Sequence, residues 1–189
     1  MQAIVNMLLS KVKKYNPDMN EAQIKTRKYG LEILIGELSK TLIYLFVFSL
    51  FSLAGYFLLA ALIFCTIRLA TGGLHARSYL SCLIVTFIIF AVILFAGQYF
   101  GLSIVEKSIM LVLSLASTIL FAPVKHMNTA HKNLAKAGQF KLISILFVIF
   151  WSLATYLLKG AWSNTAVFAI FTEAIMQPLG KLFNPTEKV

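Results

Sequence analysis

The charged residues of this chain fall in short clusters. Between them lie five long stretches without any charge: residues 41–67, 78–105, 108–124, 142–158 and 160–172. A helix rises 1.5 Å per residue, so ~20 mainly apolar residues cross the hydrocarbon core of a bilayer. The first stretch is long for one crossing and short for two. Two crossings fit if the first begins near Leu31 and the chain turns at Ala54-Gly55. Glu32, Glu37 and Lys40 then lie in one end of the first helix, where Glu37 and Lys40, three apart, can pair on one face. Counting basic residues decides between the arrangements. With six spans and both termini inside, 15 of the 17 Lys and Arg fall on the inner side, and only Lys107 and Lys159 fall outside. With one span fewer the split is 9 against 8. Basic residues are retained on the cytoplasmic side, so six spans are expected, at about 31–53, 56–70, 80–97, 104–122, 141–158 and 162–180. Ahead of them, residues 1–15 read as a helix lying on the inner membrane surface. Ile4, Met7, Leu8 and Val12 form its apolar stripe, with Lys11, Lys13 and Lys14 nearby, and Asn16-Pro17-Asp18 separates it from the first span. The pattern predicts an all-α polytopic membrane protein, with residues 1–189 forming a single integral membrane domain.

Composition agrees. Of 189 residues, 59% are hydrophobic and 13% charged, the latter about half the share of a soluble domain. A soluble domain of this size could not hide so much apolar surface, and a disordered chain would not carry it. The net charge of +10 does not indicate nucleic acid, because the basic residues sit between apolar runs, where they set topology and meet anionic lipid headgroups. Two cysteines, Cys65 and Cys82, do not make a disulfide framework. Residues 1–9 lack the basic start, apolar run and cleavage site of a signal peptide.

Candidate chemistry concentrates in residues 68–82, Arg-Leu-Ala-Thr-Gly-Gly-Leu-His-Ala-Arg-Ser-Tyr-Leu-Ser-Cys, between the second and third expected spans on the inner side. Polar groups are costly near membrane depth and mark function there. An imidazole can activate a thiol, which pairs His75 with Cys82. On a straight helix the two share a face but stand ~10.5 Å apart along the axis, beyond hydrogen-bond reach of ~3 Å. A direct couple therefore needs a fold-back, for which Gly72-Gly73 supplies the backbone freedom, or a homodimer that pairs the two groups across chains. Ser78 or Ser81 can cap the third span, placing Cys82 in its first turn, where the helix dipole favours negative charge. The plainer reading of Cys82, as of Cys65, is packing in an apolar helix. His126 and His131 read as interfacial residues, because two histidines without a Cys or carboxylate cluster make a poor metal site. Glu32, Glu37 and Glu173 read as partners for Lys40, Arg68 or Lys181. Glu106 falls outside, so no third catalytic group is apparent. No phosphate-binding Gly motif followed by Lys-Ser/Thr is present, and neither cofactor nor metal is expected.

Arg68-x3-Gly72-Gly73-x-His75-Ala76-x5-Ser81-Cys82 resembles the signature of the accessory gene regulator protein B family (AgrB). Glu32 and Lys40, Ala122-Pro123 before a basic loop, and Glu173 with Pro178 are similar to further patterns of that family. The resemblance implies a membrane-embedded cysteine endopeptidase of the Gram-positive cell membrane. His75 would be the general base and Cys82 the nucleophile. The substrate would be a short AgrD-like precursor of a quorum-sensing autoinducing peptide. It would be cleaved near its C-terminus, held as a thioester and closed to a thiolactone or lactone. Arg68, Gly72, Gly73, Arg77 and Lys125 are the candidate substrate contacts, the basic ones for an acidic peptide segment. Two other readings remain from the residues themselves: a peptide exporter or permease without covalent chemistry, and a membrane scaffold.

Overall fold

A computed structural model of the chain describes residues 2–15, 20–72, 79–123 and 134–183. Every regular element among them is a helix: α1 (Gln2–Tyr15), α2 (Glu21–Leu50), α3 (Ala54–Thr71), α4 (Tyr79–Tyr99), α5 (Ile104–Phe121), α6 (Leu134–Leu157) and α7 (Gly160–Phe183). The chain divides into two compact units, Met1–Phe51 and Ser52–Val189.

In the first unit α1 lies against α2. Val5 and Leu9, four apart on one face of α1, are buried, whereas Met7 of the expected stripe is exposed. Helix α2 starts ten residues before the expected span because Asn20 and Gln23 close a capping box, each side chain bonding the other's backbone N–H. Exposed Lys25 and Arg27 do not interrupt a helix that has such a start. The pair expected between Glu37 and Lys40 is formed.

The turn after α2 is not at Ala54-Gly55. It runs through Phe51–Leu53, with Ser52 at a φ of +60°. Gly55 belongs to α3 and serves packing: a Cβ there would stand 2.8 Å from the Trp162 ring.

In the second unit α7 is central. Helices α4, α3, α6 and α5 follow one another in an arc around it, and each packs on it. The sides turned away from α7 are apolar: Ile84, Ile88, Val92 and Phe95 of α4 and Leu142, Leu146, Phe150 and Leu153 of α6 are exposed at helical spacing. The polar side chains are inside, with Ser114, Thr118, Ser144, Thr155, Asn164, Glu173 and Gln177 all buried. Apolar outside and polar inside is stable against lipid, not against water. Helices α2 to α6 each hold a stretch long and apolar enough to cross a membrane. The 24 residues of α7 span ~36 Å. The chain is an all-α polytopic membrane protein.

Between helices in lipid, small residues and interhelical hydrogen bonds do the work that burial does in water. Gly97 brings α4 so close to α7 that a Cβ would stand 2.2 Å from Thr165 Oγ1 and 2.8 Å from its Cα. Asn164 Nδ2 donates to the Phe100 carbonyl at 3.0 Å, satisfying an acceptor at the C-terminal end of α4. Lys107 Nζ donates to Ser163 Oγ, which donates to the Thr155 carbonyl, each at 2.9 Å, tying α5, α7 and α6 together. Trp151 Nε1 donates to Thr66 Oγ1 at 2.9 Å between α6 and α3. Pro178 lies inside α7. It has no N–H for the Ala174 carbonyl one turn back, and Ser117 Oγ of α5 donates to that carbonyl instead, at 2.8 Å.

Candidate functional site

The alternating directions of α3 to α7 gather at one end of the second unit the C-termini of α3, α5 and α7 with the N-termini of α4 and α6. This end carries Arg68, Lys141 and Lys181, and the opposite end carries Lys107 and Lys159. The positive-inside rule assigns the Arg68 end to the inner side.

Helix α3 stops at Gly72 for a conformational reason. Gly72 donates its N–H to the Arg68 carbonyl at 2.9 Å, and its φ of 71° and ψ of −155° fall in a region essentially confined to glycine. The chain therefore leaves α3 sharply, immediately before the segment with Gly73, His75 and Arg77. Those three residues and Lys125 lie outside the described residues. Cys82 is the fourth residue of α4, half-buried, with Sγ 3.9 Å from Thr86 Oγ1 one turn further on. Cys65, read as a packing residue, is exposed on α3.

Arg68 turns to Glu173. Its Nη1 stands 3.3 Å from Oε2 of that carboxylate, which is fully buried in α7. The other oxygen, Oε1, accepts from Thr71 Oγ1 at 3.0 Å. The Arg68 guanidinium also lies 5.5 Å from the centre of the Phe64 ring. One turn along α7, Gln177 Nε2 donates to Thr118 Oγ1 of α5 at 3.2 Å. Gln177 Oε1, also buried, has no hydrogen-bond partner among the described residues. A further turn along, Lys181 Nζ reaches the Leu120 carbonyl at 3.4 Å and the face of Phe121 at 5.4 Å. Thus Glu173, Gln177 and Lys181, at four-residue spacing, form a polar stripe that fastens α7 to α3 and then to α5. The sequence pattern marks Glu173 as an ion-pair partner but does not single out Thr71, Gln177 or Thr118. The four-residue spacing along α7 and the three-residue spacing of Arg68 and Thr71 are the signals available for them. Among the described residues no three His, Cys, Asp or Glu side chains converge as a metal set.

Comparison with known proteins bears on the same chain. The family model for Accessory gene regulator B matches residues 3–177. A protein of Clostridium beijerinckii named "Putative AgrB-like protein" is 28% identical over 174 residues, covering 89% of this chain and 86% of that one. No solved structure matches. The chain belongs to the accessory gene regulator B family and so takes part in the processing of quorum-sensing peptides.

Proposed function

We propose that the protein is a cysteine endopeptidase of the cell membrane of a Gram-positive bacterium, acting on a short AgrD-like precursor. The observation that carries this reading is that the family model, over residues 3–177, takes in both His75 and Cys82. Its support in the fold is local. A glycine-only backbone conformation ends α3 three residues before His75, and Cys82 sits in the first turn of the next described helix.

The proposed chemistry follows from the two groups. His75 accepts the Cys82 thiol proton as sulfur attacks the scissile carbonyl carbon near the C-terminus of the precursor. The C–N bond breaks, the leaving amine takes the proton back from the imidazolium, and the C-terminal fragment departs. The N-terminal part stays on sulfur as a thioester. A thiol or hydroxyl within it then gives its proton to His75 and attacks the thioester carbonyl; the C–S bond to Cys82 breaks, its sulfur takes that proton back, and a thiolactone or lactone closes. The thioester keeps most of the acyl-transfer potential of the peptide bond, so ring closure needs no nucleotide. A site at the membrane interface limits water and favours cyclisation over hydrolysis. Arg77 and Lys125 offer positive charge to an acidic precursor segment, and Gly72 and Gly73 allow its backbone to come close. Arg68, whose guanidinium meets Glu173 and keeps 24% of its exposure, is a further candidate contact.

The test is mass spectrometry of the purified protein in liposomes with a synthetic precursor. The expected result is an adduct on Cys82 of the mass of the N-terminal fragment, released by hydroxylamine. Cys82→Ala and His75→Ala should each insert normally and cleave nothing. Normal cleavage by either variant refutes the assignment.

A further inference from the structure

The last turn of α3 is held in a way that apolar packing does not need. Two donors three residues apart, Arg68 and Thr71, meet the two oxygens of one carboxylate, Glu173, which lies 105 residues after Arg68 in the sequence and is fully buried. Turning α3 about its axis, or sliding it along α7, breaks at least one of these bonds. Stability alone is a weak reason for the arrangement, since well-packed apolar residues often serve as well as a buried ion pair. What the carboxylate adds is direction. The residue after Thr71 is Gly72, where the chain turns out of α3. His75 is four positions beyond Thr71, and Cys82 is ten beyond Gly72. The angle of α3 therefore sets the point and direction from which the chain departs toward His75.

We propose that Glu173 is a positioning residue of the peptidase site: by gripping Arg68 and Thr71 it fixes how the chain leaves α3, and so how His75 meets Cys82. The proposal rests on the reading of His75 and Cys82 as the catalytic pair. On this account Glu173 acts through the backbone of α3. Arg68, on the same account, serves the site through its bond to Glu173.

The test measures kcat and KM for precursor cleavage in liposomes, with the melting temperature of each variant in detergent. The variants are Glu173→Gln, Thr71→Val and Thr71→Ser, beside Cys82→Ala. Positioning predicts that Glu173→Gln and Thr71→Val lower kcat with KM little changed, by up to about 100-fold for a displacement near 1 Å. Thr71→Ser keeps the hydroxyl and should keep most of kcat. If Glu173→Gln does not accumulate, the two Thr71 variants decide. A lowered melting temperature with unchanged kcat per folded molecule would make the cluster merely structural and overturn the proposal. So would equal kcat in Thr71→Val and Thr71→Ser. Normal cleavage by Cys82→Ala would instead overturn the reading of the catalytic pair.

Discussion

The two ends of α7 are both polar, yet they are built differently. At its N-terminal end Ser163 and Asn164 are neutral and donate to backbone carbonyls, of Thr155 in α6 and of Phe100 just after α4, while Ser163 also accepts from Lys107 of α5. They finish what the helix termini leave unpaired, as capping groups do. At its C-terminal end Glu173 and Gln177 bond side chains of neighbouring helices, Arg68 and Thr71 of α3 and Thr118 of α5. A backbone carbonyl is available wherever a helix ends, whereas a particular side chain exists at one register only. The first end closes the bundle; the second fixes its register, and it does so beside the segment that carries His75 and Cys82. Changes at the two ends should therefore differ in kind: loss of stability alone at one, loss of rate as well at the other.

The largest effect is expected from Glu173→Ala. It leaves Arg68 without its carboxylate in a mostly buried place, and breaking a buried pair costs ~3–5 kcal/mol. Because the Arg68 side chain keeps 24% of its exposure, the lower part of that range is expected, read as a shift of the detergent unfolding transition. Gly97→Val comes next. With a Cβ 2.8 Å from the Thr165 Cα, α4 and α7 must part, at ~1–3 kcal/mol. Trimming Thr165 to Gly should restore only part of this, because the backbone clash remains. Cleavage per folded molecule should be unchanged, and a fall in kcat would erase the distinction between the two ends. Asn164→Ala leaves the Phe100 carbonyl without this donor, and a smaller loss of about 1 kcal/mol is expected, again without change in rate.

The helices were legible in the sequence because charge-free runs are long: α4 (Tyr79–Tyr99) falls within residues 78–105, and α5 (Ile104–Phe121) takes up most of 108–124 after a first turn that carries Glu106 and Lys107. The turn between α2 and α3 was not. Glycine suggested it, but Gly55 answers to the Trp162 ring, a neighbour more than 100 residues away, while the turn uses Ser52 at positive φ, which nothing local announces. The same holds for the site. Gly72 could be read as a backbone break because the reason lies in its own missing Cβ. That Glu173 would choose Arg68 rather than Lys40 or Lys181 depends on which helices surround α7, and helix order in the bundle is not written in spacing. His75, Gly73, Arg77 and Lys125 fall outside the described residues, so their roles rest on the sequence pattern.

The smallest effect sharpens the comparison most, because it concerns a backbone carbonyl at the end of α7 where Glu173 and Gln177 bond side chains. Pro178 leaves the Ala174 carbonyl without its helical donor, and Ser117 of α5 supplies one at 2.8 Å. Interhelical bonds of this kind average ~0.6 kcal/mol in membrane proteins. Ser117→Ala should cost about that much in the native chain. In a Pro178→Ala background the alanine N–H can bond the same carbonyl from within α7, so Ser117→Ala should cost close to nothing. Neighbouring sites that share one acceptor are not additive, and the difference between the two costs measures the sharing directly. Equal costs in both backgrounds would mean that Ser117 serves something other than the gap left by the proline. In that case the carbonyl at Ala174 would not be one of the points at which α5 holds α7.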